Sequence, residues 1–514
     1  MKRMLAFALS VALLCALLTG CGGNRGAETE SGPDGAAHPD ELYVGIAQDL
    51  DSLDPHKMVA AGTKEIMFNV FEGLVKPAPS GDLIPALAED WSVSDDRLSY
   101  TFHLRDGVKF HNGAPLTSAD VLYSLLRLNG YDDESGLNTG VITVDAFKNI
   151  AAMDTPDDMT VVLTLAEPSN EFLSYLTAAI IPADYAEQET APVGTGPFRF
   201  VSRAAQESVV LERFDDYWGE PAKLQRVTCR VIENADSILM SLQSGAVDLF
   251  AHLTITQSQQ LGDAFRVEEG AMNLVQALYL NNAVEPLNDV RVRQALCYAV
   301  DKQALIDRAF DGYGFPIGSS MYPAFSKYFD ESLTDYYPHD VEKAKELLAD
   351  AGYPDGFSFS ITVPSNYQPH LDAAQVISEQ LKEIGVQAEI LPVEWETWLS
   401  ETYLDRNFES TVIGVDATTM TARALLERFT SKASNNFINY DNEAYDRLFE
   451  EAQSAADDAA QTEAYRAMER NLTENAANVY IQDMADLLAV RNGLQGVRFY
   501  PIYVLDLSGL YWES

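Results

Sequence analysis

Basic residues are scarce in this chain: 35 Lys and Arg stand against 78 Asp and Glu, a formal net charge of −43. Such a surplus repels phosphate backbones and argues against nucleic acid as a partner. Its simplest meaning is a solvated acidic surface, with a mild preference for cationic ligands as the second. Cysteine is nearly absent, and of the 4 present Cys15 and Cys21 fall at the amino-terminal end. The other two, Cys229 and Cys297, could pair in an oxidising compartment, but sequence separation cannot establish their geometry. No CxxC, HExxH, GxSxG or GxxxxGK[ST] occurs, which argues against a zinc protease, a serine hydrolase and a nucleotide-binding P-loop. The 7 His are scattered, with His103 and His111 on an expected hairpin and His56 in a Pro-containing loop. Surface or structural roles suit them better than a metal cluster. No nucleophile–base–orienter set is visible, so the chain reads as a non-enzyme without catalytic residues, metal or cofactor.

Long apolar runs are also missing, with one exception. After Lys2 and Arg3 an almost unbroken apolar stretch runs from Met4 to Leu18. A positive start, a short apolar middle and small residues at its end describe a signal peptide over 1–20. The run is short for a membrane span, which needs about 20 residues, and no second one follows. Leu18-Thr19-Gly20-Cys21 resembles the bacterial lipobox, in which the cysteine thiol is lipidated and the bond before it is cut. Acyl chains contribute about 0.8 kcal/mol per buried CH₂, so several together hold a soluble body firmly. Residues 21–40, rich in Gly, Pro and charge, suit a lipidated flexible tether reaching roughly 20–25 Å. The expected location is the outer face of the cytoplasmic membrane, on the extracellular or periplasmic side.

The remainder is long enough for two or three folded lobes. "ELYVGIA" (41–47) alternates as a strand should. In "LSYTFHL" (98–104), Leu98, Tyr100, Phe102 and Leu104 share one face, and "VSDDR" before it reads as a hairpin turn. Thr117 starts a helix carrying Val121, Leu122, Leu125 and Leu126 on one stripe. Asp289 can cap a helix with Val292, Leu296, Ala299 and Val300, and Asp340 another with Ala344, Leu347, Leu348 and Ala351. A helix over about 372–384 stops at Gly385 and runs into the extended "VQAEILPV" (386–393), a βαβ-type order that predicts an α/β sheet. Two acidic amphipathic helices are expected near 442–456 and 458–476. Gly194 and Gly196 most simply permit a tight turn. Arg291 and Arg293 fit capping and packing.

From residue 71 the chain carries specific motifs. "FEGLVKPAPSGDLIPALAEDWSVSDDRLSYTFHLRDGVKFHNGAPLTSADVLYSLLR" (71–127) resembles the family 5 extracellular solute-binding proteins, the oligopeptide/dipeptide/nickel-binding class of ABC importers. "DSLDPH" (51–56), "VGTGPFRF" (193–200), "YWGEPAKLQRVTCRVI" (217–232), "LYLNN" (278–282) and "NDVRVRQALCYAVDKQALI" (288–306) agree, in the family's order. So do "KAKELLADAGYPDGF" (343–357) and "NYDNEAYDRLFEEA" (439–452). The resemblance implies an α/β fold of the periplasmic-binding-protein-like type II class, three lobes around a hinged cleft. Lobe I would combine 41–78, 190–277 and 497–514, lobe II would be 79–189, and lobe III 278–496. Crossings near 277–281 and 490–497 would form the hinge. It further implies a monomeric receptor that captures peptide and delivers it to ABC permease subunits, a cytoplasmic ATPase supplying energy indirectly. The same fold also serves nickel chelates, heme and sugars. A surface ligand sensor without transport is the remaining reading.

In peptide-binding relatives a carboxylate in a "GWxxDYxDP"-like stretch binds the ligand's amino terminus. Here "VIGVDATTMTARALLERF" (412–429) keeps Gly414 and Asp416 but neither the tryptophan nor the Asp-Pro. Asp416 is therefore either the amine clamp or a cap for a helix over 418–429. "EWETWLSETY" (394–403) offers Trp395, Trp398 and Tyr403 as a ligand platform or as lobe packing. Tyr279 beside the hinge, and His56 and Met58 in the first loop, are further candidates for lining the cleft.

Overall fold

The computed structural model describes residues 40–130, 140–232, 234–417, 421–455 and 457–513. The signal peptide, Cys21 and all but the last residue of the tether lie outside that set. One mixed sheet of 11 strands runs through the molecule. Its order is Gln387–Val393, Ser358–Pro364, Ser410–Asp416, Phe265–Leu280, Asn478–Arg491, Leu249–Phe250, Glu41–Ile46, Arg226–Val231, Ser208–Arg213 and Phe198–Ala204, with Phe315–Pro316 paired to Asn478–Arg491. The fold is thus mixed α/β, as expected.

The two central strands, Phe265–Leu280 and Asn478–Arg491, are long and antiparallel, and they carry the sheet from one half to the other. Their pairing breaks between Ala271 and Val275, where Asn273 takes a φ of 60°. A left-handed non-glycine residue there marks a bulge, which bends the ladder. The crossings expected near 277–281 and 490–497 lie at the ends of these strands, whereas the irregularity lies inside the pair. At the far edge, Ser358–Pro364 pairs in parallel with Gln387–Val393. The helix between them is Gln368–Leu381, extended by Lys382–Ile384 and ended by Gly385 at φ 78°. Only glycine adopts that conformation without strain, so the chain turns there into the next strand.

A separate four-stranded antiparallel sheet has the order Ala88–Val93, Ser99–Leu104, Thr160–Leu165, Ile150–Asp157. Tyr100, Phe102 and Leu104 are buried on its inner face. Helix Ser118–Leu128 covers that face with Val121, Leu125 and Leu128. Its expected stripe is shifted: Leu122 and Leu126 are half-exposed, and Arg127 is buried because it meets a carboxylate from elsewhere.

The helix starts hold where capping residues stand. Asp289 accepts from the Arg291 N–H, and Asp340 from the Lys343 N–H. Arg293 is buried and donates to the carbonyls of Leu287, Asn475 and Ala476, so it ties helix Val290–Ala299 to the chain before strand Asn478–Arg491. Gly194 and Gly196 correct the turn reading. Neither has a positive φ; instead a Cβ would sit 2.1 Å from the Val70 carbonyl at 194 and 2.5 Å from that of Asn69 at 196. Close backbone approach, not turn geometry, excludes side chains there. Cys229 and Cys297 do not pair. They belong to different cores, and burial pushes both thiols up to about 12.

Candidate functional site

A cavity of about 760 Å³ opens among the described residues. Residues 55–77 give one wall, 144–145 and 174–179 a second, 272–273 and 501–504 a third, and Tyr322, Asp416 and Ala417 the last. Size and mixed lining match the range of small-ligand sites.

The first wall depends on how loop 51–58 is held. Asp54 and Arg127 are both buried and meet through two contacts, Nη1–Oδ1 at 2.9 Å and Nη2–Oδ2 at 2.6 Å. Arg127 also donates to His56 Nδ1 at 3.0 Å, and His56 Nε2 lies 2.8 Å from the Ala179 carbonyl oxygen. A carbonyl only accepts, so Nε2 carries the proton and Nδ1 is the acceptor. The ring is therefore neutral, consistent with burial holding its pKa down to about 4. His56 is a lock behind the wall rather than a lining residue, which corrects that expectation. Met58, two residues on, does line the cavity together with Phe68 and Phe71.

The floor is fixed by a second network. His252 Nδ1 lies 2.8 Å from Asp486, its Nε2 lies 3.1 Å from Glu65, and its ring stacks on Tyr503 at 4.5 Å. Burial opposes the charge, but the two carboxylates prevail and raise the imidazole to about 10. The imidazolium so joins helix Ala61–Met67, strand Asn478–Arg491 and the cavity-lining segment 501–504.

Asp416 ends strand Ser410–Asp416 opposite Leu274, with its side chain exposed to the cavity. The next described helix is Arg423–Leu426 with Ala422 before it, so Asp416 does not cap it; residues 418–420 lie outside the described set. Close by, Tyr322 is buried, and burial together with Asp483 and Asp416 raises its hydroxyl well above the ordinary phenol. Asp483 sits at the bulge: Oδ1 accepts from the Leu274 N–H at 2.9 Å, while Oδ2 has no hydrogen-bond partner. Burial pushes that carboxyl up to about 7.

The aromatic candidates form a ladder away from the cavity, ending on Phe437. Trp395 stacks on Trp398 at 5.2 Å, Trp398 on Tyr403 at 5.9 Å, and Tyr403 meets Phe437 at 5.3 Å. Trp398 is buried, its Nε1 donating to Thr411 at 2.9 Å, whereas Trp395 is 37% exposed. None of these three lines the cavity in this conformation. Tyr279 is fully buried against Phe437, and its hydroxyl donates to the Val275 carbonyl. It is a core residue, which corrects the expectation that it lines the cleft. Sequence reasoning did not name the lining residues Lys64, Phe68, Phe71, Tyr322 and Tyr503, nor the buried Asp483 beneath them. One signal was available: Asp483 and Asp486 stand in the mostly apolar stretch 479–490, and acids in such a strand demand an explanation.

Among the described residues no helix is long and apolar enough to cross a membrane. The sequence model of the bacterial extracellular solute-binding proteins, family 5 Middle, matches residues 82–437. Heme-binding protein A of Haemophilus influenzae is 33% identical over 350 residues, 62% of this chain and 63% of its own length, less than two thirds of that relative. The glutathione-binding protein GsiB of Salmonella paratyphi A is 30% identical over 366 residues, 69% of this chain and 70% of its own. The ABC transporter-associated periplasmic binding protein DppA of Helicobacter pylori, solved in complex with the peptide STSA, superposes with a TM-score of 0.68. It is 25% identical, and the superposition covers 92% of this chain and 98% of that one.

Proposed function

Because the chain belongs to family 5 of the bacterial extracellular solute-binding proteins, which are substrate-binding proteins of ABC importers and not enzymes, we propose that it captures peptides in the cavity around Met58 and Asp416 and hands them to a membrane permease. The observation that carries this reading is the carboxylate of Asp416, exposed at the end of a rigid strand inside a cavity of about 760 Å³. A peptide's free amino terminus is a compact cation, and a fixed carboxylate is the group that recognises it. The peptide bound in DppA and the glutathione-binding relatives support the same ligand class. Mass spectrometry of ligand released by denaturing the purified protein tests the reading. Peptides in that fraction support it; heme, a sugar or a nickel chelate would move the function to that solute. Neighbouring permease and ATPase genes support import, and a neighbouring sensor kinase supports signalling.

Delivery requires release, and the crossing strands offer the means. Lobe III rotates about Phe265–Leu280 and Asn478–Arg491, and a ligand touching both sides of the cavity favours the closed population. The missing rungs between Ala271 and Val275 make that stretch the easiest to twist. Small-angle scattering is expected to show a smaller radius of gyration with a saturating ligand than without; superimposable profiles would count against closure.

The lipid at Cys21 completes the proposal, keeping the receptor beside its permease. Cys21→Ser is expected to abolish acyl-chain labelling and membrane partitioning. Labelling that persists in this variant would sink the anchor.

A further inference from the structure

The four-stranded sheet and the half of the molecule that carries Asp416 bury separate cores, with Tyr100 and Phe172 in one and Phe325, Leu425 and Tyr465 in the other. Polar groups bridge the two. Glu171, just before Phe172, is only 7% exposed. The Tyr465 hydroxyl donates to its Oε1 at 2.5 Å, and Arg423 Nη1 lies 3.7 Å from its Oε2. Tyr465 is itself fully buried. Burial works against the Glu171 charge and pushes its carboxyl up, while Tyr465 and Arg423 pull it down.

A second bridge starts from the hairpin. Arg97 stands at the turn before strand Ser99–Leu104 with a φ of 57°. Glycine would take that conformation without strain, so what arginine adds there is its side chain. The guanidinium donates to the Ala455 carbonyl, at the end of helix Glu443–Ser454, where a cation complements the helix dipole. Asn170 braces it, accepting from Arg97 at 2.8 Å and donating to the same carbonyl at 3.3 Å. Further along, Ser326 Oγ donates to the Ser80 carbonyl at 3.1 Å, and a Cβ on Gly81 would stand 2.7 Å from the Ala324 carbonyl oxygen. Among these contacts lies a hollow of about 180 Å³, with Asn170 and Glu171 on one wall and Lys327, Tyr328 and Asp458 on the other. Ser174 lines both this hollow and the ligand cavity, whereas Arg97, Glu171 and Tyr465 do not line the cavity.

We propose that the Glu171–Tyr465 and Arg97–Ala455 contacts form a latch that holds part of the ligand-free population closed, making these four positioning residues for capture and not ligand contacts. Rotation about the crossing strands must break the latch, because one half of it lies within residues 80–171 and the other within residues 324–465. Opening gives Glu171 back to water and takes the acceptor away from the buried Tyr465 hydroxyl. A ligand that finds the closed form already populated has less of the closing free energy to provide, so its apparent affinity rises with that fraction. The latch acts alike on a peptide, a heme or any other solute, since it touches none of them.

The test uses the detergent-solubilised full-length protein, freed of ligand by denaturation and refolding, and reads its radius of gyration by small-angle neutron scattering with the detergent contrast-matched. Tyr465→Phe keeps the ring and removes the hydroxyl. A hydrogen bond to a charged group is worth enough that its loss is expected to lower the closed-to-open ratio about 10- to 100-fold. Arg97→Gly removes the guanidinium and relieves the left-handed backbone, so the hairpin is expected to stay folded while the latch is lost. Both variants are expected to show a larger ligand-free radius of gyration than the parent, with unchanged far-UV circular dichroism. If Tyr465→Phe expands by unfolding, its circular dichroism falls and Arg97→Gly alone decides. A ligand-free Arg97→Gly protein that is folded and as compact as the parent would overturn the latch.

Discussion

Asp54→Asn is expected to cost about 3–5 kcal/mol of stability, the usual loss when one member of a buried ion pair is removed. Asp54 and Arg127 are both buried, joined by contacts of 2.9 and 2.6 Å. Burial works against the Asp54 charge, yet the Arg127 guanidinium holds the carboxyl below its usual range. With asparagine in its place the buried guanidinium loses both of its contacts with the Asp54 carboxylate. The loss comes from breaking a buried ion pair on one side only, so Asp54→Asn with Arg127→Met is expected to recover part of it. Urea denaturation of the single and double variants is the measurement. A single variant within about 1 kcal/mol of the parent, in the range of exposed pairs, would mean that water reaches this site. Because the same network holds loop 51–58, ligand affinity is expected to fall with stability through displacement of Met58.

Asp416→Asn has the larger expected effect on function. Removing one partner of a desolvated charge pair costs about 2–5 kcal/mol, or roughly 30- to several-thousand-fold in affinity. Asparagine keeps the shape of the side chain. Asp416 caps no described helix and its side chain is exposed, so the ligand-free melting temperature is expected to stay unchanged. Calorimetric titration with an unmodified peptide should then show weakened binding by a folded protein. N-acetylated peptide should bind the parent poorly as well. Full-strength binding of the acetylated form by the parent would reject the amine clamp, and an early melt with normal affinity would make Asp416 structural.

Local rules made much of the fold legible. The hairpin before Ser99–Leu104, the caps at Asp289 and Asp340, and the strand–helix–strand unit ending at Gly385 all follow from residues close in sequence. Asp416 and Met58 were named from the motifs around them, and both line the cavity. What stayed hidden depends on distant partners. Nothing near Arg127 announces that it will meet a carboxylate 73 residues earlier. Tyr279 sits in a strand covered on both faces, where alternation cannot tell a core side from a ligand side. For the tryptophans the spacing did bring the rings together, but the chain widens to a π-helix over Trp398–Leu404, which carries Tyr403 into the same stack. The ladder points into a core because strand Ser410–Asp416 lies beneath it, through Thr411.

The interlocking of early and late chain in the core around strand Glu41–Ile46 has a consequence for the order of assembly during synthesis. The Trp512 indole donates to the Glu41 carbonyl at 2.9 Å across 471 positions, and the Asn69 side chain bonds the backbone of Leu505 and Leu507. Strand Glu41–Ile46 emerges from the ribosome first but shares its core with residues 488–510, which emerge almost last. The four-stranded sheet over 88–165 is continuous and can close on itself while translation proceeds. Lobe I cannot. Contacts of such separation are slow to form, so this core is completed only once its late residues are made.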